Sequence, residues 1–164
     1  MKKLLVAAAA LGAVASTPAM ATAAPSADYT VTGTVAPTCN AGSGGTITFG
    51  TIALASDGTL GTNADQSSTG VNVYCNGVNA TLSLAGHTIV NSPAPADTTD
   101  FTKTLSFTTT ATVGGSSFTE ANAQAFGAKA GSLVVTAASL SAGGKRPYAG
   151  SYTGTITVTL SPGA

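Results

Sequence analysis

The chain has no tryptophan, one histidine and two cysteines, and only 7% of its residues are charged. Each scarcity excludes something. Beyond Lys2 and Lys3 the only basic residues are Lys103, Lys129, Lys145 and Arg146, so there is no basic footprint for a nucleic acid. Low charge also argues against disorder of the polyelectrolyte kind, and alternating Val, Ile and Leu point to a packed core. His87 and two cysteines make a poor zinc set. His87 has no nucleophile motif or carboxylate pattern near it in sequence, so we expect no enzyme, no catalytic centre and no cofactor. Without tryptophan, sugar stacking would fall to Tyr29, Tyr74, Tyr148 and Tyr152, for which core or edge packing is the expectation. Asp57, Asn63 and Asp65 share one glycine-containing loop, but their spacing is not that of an EF-hand, so we read them as solvated turn residues.

What is present begins at the N-terminus. Lys2-Lys3, the apolar run Leu4 to Ala15 and the small-x-small signal Ala19-Met20-Ala21 read as a secretory signal peptide over residues 1–21, cut after Ala21 or Ala23. The run is short for a bilayer, and no later stretch is long and apolar enough, so no membrane span is expected after cleavage. Export gives meaning to the cysteines. An even count in an exported chain reads as a Cys39–Cys75 disulfide, with two free thiols or metal ligands as the alternative. The two are 36 positions apart. Closing a loop of that size constrains the unfolded chain by about 3.5–4 kcal/mol in the chain-entropy picture.

The clearest local pattern lies near the C-terminus. Positions 152, 154, 156, 158 and 160 read Tyr, Gly, Ile, Val and Leu, while 151, 153, 155, 157 and 159 read Ser and then Thr throughout. This period of two gives a strand with one apolar and one hydroxylated face. The same alternation occurs at Tyr29, Val31, Gly33 and Val35, against Thr30, Thr32 and Thr34. Further strands are expected over residues 46–54, with a bend at Gly50, over 70–75 and 80–84 as a hairpin about Asn76-Gly77, over 87–90, over 105–113 and over 132–136. Residues 55–68 and 91–100 read as loops. Residues 117–130 admit either strands holding Phe118 and Phe126 or a short helix near Glu120. Seven or eight strands at this spacing suit an all-β fold, an Ig-like sandwich or a jelly roll.

In this order the motifs resemble the spore coat protein U domain family, which includes major subunits of archaic chaperone–usher pili. The matching pieces are the alternating arm Tyr29 to Val35, Cys39, Ile47-Thr48-Phe49-Gly50, Val71 to Cys75 with Asn76-Gly77, and Gly150 to Val158. Between the second cysteine and the end, the family's aromatic-rich segment is represented only by Leu105-Ser106-Phe107, which leaves the register of residues 87–130 open. The resemblance implies an Ig-like antiparallel β-sandwich that is incomplete because its final strand is missing. Residues 22–35 would be a donor arm, with Tyr29, Val31, Gly33 and Val35 on its inserting face. Residues 36–164 would be the sandwich, with Tyr152, Ile156, Val158 and Leu160 on the edge of the acceptor groove. The implied partners are identical or related pilin subunits, a periplasmic chaperone and an outer-membrane usher. The implied product is a surface fimbria serving adhesion or biofilm formation. The alternative is a self-contained secreted sandwich that binds glycan or coat components, with residues 29–35 as its own first strand.

Overall fold

The computed structural model describes residues 26–120 and 122–163. The expected signal peptide and its cleavage site lie outside the described residues. The chain divides into two units with the boundary between Thr34 and Val35. In the first unit, residues 26–34 form no strand. In this stretch Tyr29 is 89% exposed and Val31 93% exposed.

The second unit is all-β, with no helix among its described residues. Its strands are β1 (Cys39–Asn40), β2 (Gln66–Ser67), β3 (Val71–Cys75), β4 (Thr81–Ala85), β5 (Thr88–Val90), β6 (Phe101–Thr102), β7 (Thr104–Val113), β8 (Ser116–Thr119), β9 (Gln124–Ala125), β10 (Lys129–Ser141), β11 (Arg146–Pro147) and β12 (Thr157–Ser161). One sheet runs β1-β3-β10-β7-β5, with β2 on β10 and β8 on β7. A smaller sheet runs β12-β4-β9. Both are antiparallel; the two-residue pair β11–β6 is parallel.

Strict alternation makes β7 the centre of the large sheet. Leu105, Phe107, Thr109, Ala111 and Val113 are all buried, and the residues between them are not. The buried Thr109 hydroxyl donates to the Gly86 carbonyl at 2.8 Å, which removes the penalty of enclosing it. Leu82 and Leu84 of the small sheet join Val73, Val113 and Leu133 of the large one in a single buried cluster, so the two sheets face each other as a sandwich. Phe118 and Phe126 meet at 5.7 Å between ring centroids within that cluster. Residues 117–130 thus resolve to strands with Phe118 inside β8, and no helix runs through the described part of 120–125.

The hairpin expected about Asn76-Gly77 does not form. β3 pairs with β1 and β10, whereas β4 pairs with β12 and β9. The Asn-Gly turn instead carries the chain from one sheet to the other. Gly77 sits so close to the Pro162 carbonyl that a β-carbon there would collide with it. The turn signal was therefore sound, but it encoded an arch between layers.

Candidate functional site

An uncharged cleft of about 1010 Å³ runs along one flank of the sandwich. Its floor is the inner face of the large sheet: Val71, Leu133, Val135, Ala137, Phe107 and Ile89. One wall is the stretch 43–52, the other the ribbon 150–158. Ile47, Phe49 and Ile52 of the first wall are half-buried, and the Phe49 ring lies 6.1 Å from that of Phe107.

The backbone of both walls is what distinguishes the cleft. Residues 43–52 belong to no strand and make no hydrogen bond, main chain or side chain, among the described residues. The ribbon is paired along one edge only, through Thr153 to Val90 and through β12 to β4. Its other edge faces the cleft without a strand partner among the described residues. An edge of free N–H and C=O groups beside an apolar floor is a template for one more strand. At about 3.3 Å per residue, the ten residues 43–52 span at most about 33 Å when fully extended.

The walls run in opposite directions. Gly42 lies beside Val71 and Asn72 near the disulfide, and the chain beyond the first wall reaches Asp57, whose carbonyl accepts the Arg146 Nε–H at 2.8 Å. The ribbon starts at that loop end and finishes at the disulfide end, with Ser161 opposite Thr81 and Pro162 against Gly77. Gly154 allows the ribbon to pass close over β5, since a β-carbon there would collide with the Thr88 carbonyl.

Of the residues expected on the groove edge, Tyr152, Ile156 and Val158 line the cleft. Leu160 lies beyond it, packed on the buried cluster. Cys39 and Cys75 form the disulfide. Sequence reasoning missed the role of the opposite wall. The Ile47 and Phe49 alternation reads as a strand over 46–54, but the segment forms none, and nothing in residue type marks a missing ladder partner.

The loop end is built on hydrogen bonds. Asn91 is buried and donates from Nδ2 to the Ala149 carbonyl at 3.0 Å. The Tyr152 hydroxyl donates to the Tyr148 carbonyl at 2.8 Å, and burial raises its pKa above the ordinary tyrosine value. Asp97 accepts the Lys103 N–H and the Thr102 hydroxyl, each at 2.8 Å. These bonds, the Lys103 N–H first, hold the Asp97 carboxyl below the ordinary aspartate value. A depressed folded-state pKa means the contribution is fully present above the unfolded value and is lost as pH falls through the folded one. The loop 97–103 is therefore expected to keep its amide protection at neutral pH and lose it below about pH 4. An NMR titration of Asp97 with a midpoint at or above the unfolded value contradicts this.

The loop candidates are each held by other groups: Asp57 accepts the Thr59 hydroxyl and N–H, Asn63 bonds the Ala53 backbone, and Asp65 accepts the Ser139 N–H. No group of three or more His, Cys, Asp or Glu residues placed to hold a metal ion occurs among the described residues. The fold does bring a carboxylate to His87, whose Nδ1 lies 2.8 Å from Glu120 Oε1. The pair is exposed beside a shallow recess lined by Thr108, Thr109, Thr110 and Thr119, and strand pairing across 33 positions is what hid it in the sequence. Among the tyrosines, Tyr29 is exposed, Tyr74 is on the outer face of β3, and Tyr148 stacks on Phe101. Compared with protein-family models, curated proteins and solved structures, the chain has no match.

Proposed function

We propose that this protein is a structural subunit of an exported surface fimbria, assembled by exchange of strands between copies. The observation that carries this reading is the cleft: an apolar floor between two edges whose main-chain groups lack a strand partner among the described residues. Residues 28–35 have the complementary chemistry. Their apolar side chains alternate, their other face is Asp28 and three threonines, and at about 3.3 Å per residue they extend about 26 Å, less than the ten residues 43–52 would span when extended. A strand bound there gains main-chain hydrogen bonds on both sides and places alternate side chains on the floor. Until it is filled, such a cleft invites wrong pairing, which supports a need for a periplasmic chaperone and an outer-membrane usher during export. The cell surface is the destination this reading assigns, and adhesion or biofilm formation the service.

Secreted material tests the reading by size. The expected result is a ladder of multimers that survives detergent and collapses to monomer on boiling. A monodisperse monomer across the same conditions overturns it and favours a self-contained binding module.

A further inference from the structure

Which surfaces of two copies meet follows from how the chain is anchored beside the disulfide, and the argument rests on the strand-exchange reading above. The Asn76 side chain grips the segment before Cys39. Its Oδ1 accepts the Thr38 N–H at 2.6 Å, its Nδ2 donates to the Ala36 carbonyl at 3.0 Å, and its backbone N–H donates to the Thr38 carbonyl at 3.1 Å. The main-chain bond extends the β1–β3 pairing past Cys39–Cys75 to Thr38, and the side chain holds the chain as far as Ala36. Val35, the last apolar position of the alternating stretch, immediately precedes Ala36. No slack chain therefore separates a seated arm from the sandwich it belongs to, and the donor's disulfide end must abut the acceptor wherever Val35 emerges.

Two directions are available in the cleft. An arm parallel to the ribbon would bring Val35 out at the acceptor's disulfide end. Like ends would then meet, an isologous contact that closes on a pair. An arm antiparallel to the ribbon brings Val35 out at the loop end. Unlike ends then meet, and the contact repeats without closure. Only the second builds a fibre.

Both ends carry the apolar surface such a contact needs. At the disulfide end, Val78 in the turn after Asn76 is 80% exposed. At the loop end, Phe101 is 39% exposed and stacks on Tyr148, with ring centroids 5.3 Å apart. Tyr148 also lines the cleft, so the stack flanks the point where an antiparallel arm would leave. We propose that the Val78 turn of one copy docks on the Phe101–Tyr148 stack of the next. A patch of this size is too small to hold two proteins together alone. It acts because the seated arm makes the contact intramolecular and raises its effective concentration.

The test uses the full chain carrying Val78→Cys with Phe101→Cys, assembled and then mildly oxidised. The expected product is a ladder that survives boiling and collapses on reduction. Val78→Cys alone should give no boiling-resistant dimer; such a dimer shows like ends meeting and overturns the proposal. A double variant that polymerises without the boiling-resistant ladder overturns the end-to-end contact and leaves strand exchange standing. An unmodified chain that never polymerises overturns both. In a second measurement, Val78→Asp and Phe101→Asp should each lower the temperature at which unoxidised ladders dissociate, and an unchanged temperature also overturns the contact.

Discussion

A chain lacking residues 22–35 is expected to fold, to remain monomeric, and to gain a few kcal/mol of stability when a peptide spanning residues 28–35 is added in trans. Burying Tyr29, Val31 and Val35 contributes about 1.5–3 kcal/mol each. Ordering the peptide costs about 1–2 kcal/mol per residue. New hydrogen bonds to the two walls offset that by about 1 kcal/mol each. Peptide supplied at about a hundred times its Kd stabilises the folded form by about 2.7 kcal/mol, a sizeable share of a small domain's roughly 5–15 kcal/mol. A denaturant titration with and without the peptide reads it directly. A peptide carrying Val31→Asp should leave the midpoint where it was, because the floor at Leu133 and Val135 offers no partner for a carboxylate. Filaments formed by the truncated chain, or a midpoint indifferent to the unmodified peptide, would refute the exchange of strands.

The second large effect is at the disulfide. Replacing Cys39 and Cys75 by Ala together is expected to lower stability by about 3.5–4 kcal/mol, because the unfolded chain regains the freedom of the loop they close. Cys75 is also buried in the core cluster, so its replacement adds a packing loss in the same direction. The midpoint of urea unfolding, compared with that of the parent under oxidising conditions, measures the sum. A loss below about 1 kcal/mol would contradict the loop argument.

The core was largely legible in the residues, and the pairing was not. Leu105, Phe107, Thr109, Ala111 and Val113 announce their face by period two, and all five are buried as the period requires. The closing stretch keeps its alternation too, with Ile156, Val158 and Leu160 half-buried between exposed threonines. Yet only Thr157–Ser161 of it joins a ladder with β4. Residues 46–54 show the limit from the other side. Ile47 and Phe49 alternate as a strand would, but a ladder needs a neighbour, and no residue in the segment records whether one exists. The Asn76-Gly77 turn fails for a related reason: turn chemistry fixes a local bend, while the choice between hairpin and arch belongs to the sheets on either side. The His87–Glu120 contact was beyond reach because it depends on strands distant in the chain.

The grip of Asn76 on Ala36 and Thr38, set against the Cys39–Cys75 bond, has a mechanical consequence. In a fibre assembled this way, tension would enter each copy through the backbone at Ala36 and meet a covalent cross-link within three positions. From there the load would pass into β3 and across to β10, along the strand axes, so that many hydrogen bonds would have to shear at once. The arm lying along its walls would be loaded in the same lengthwise manner, so the shaft would resist pulling far better than peeling.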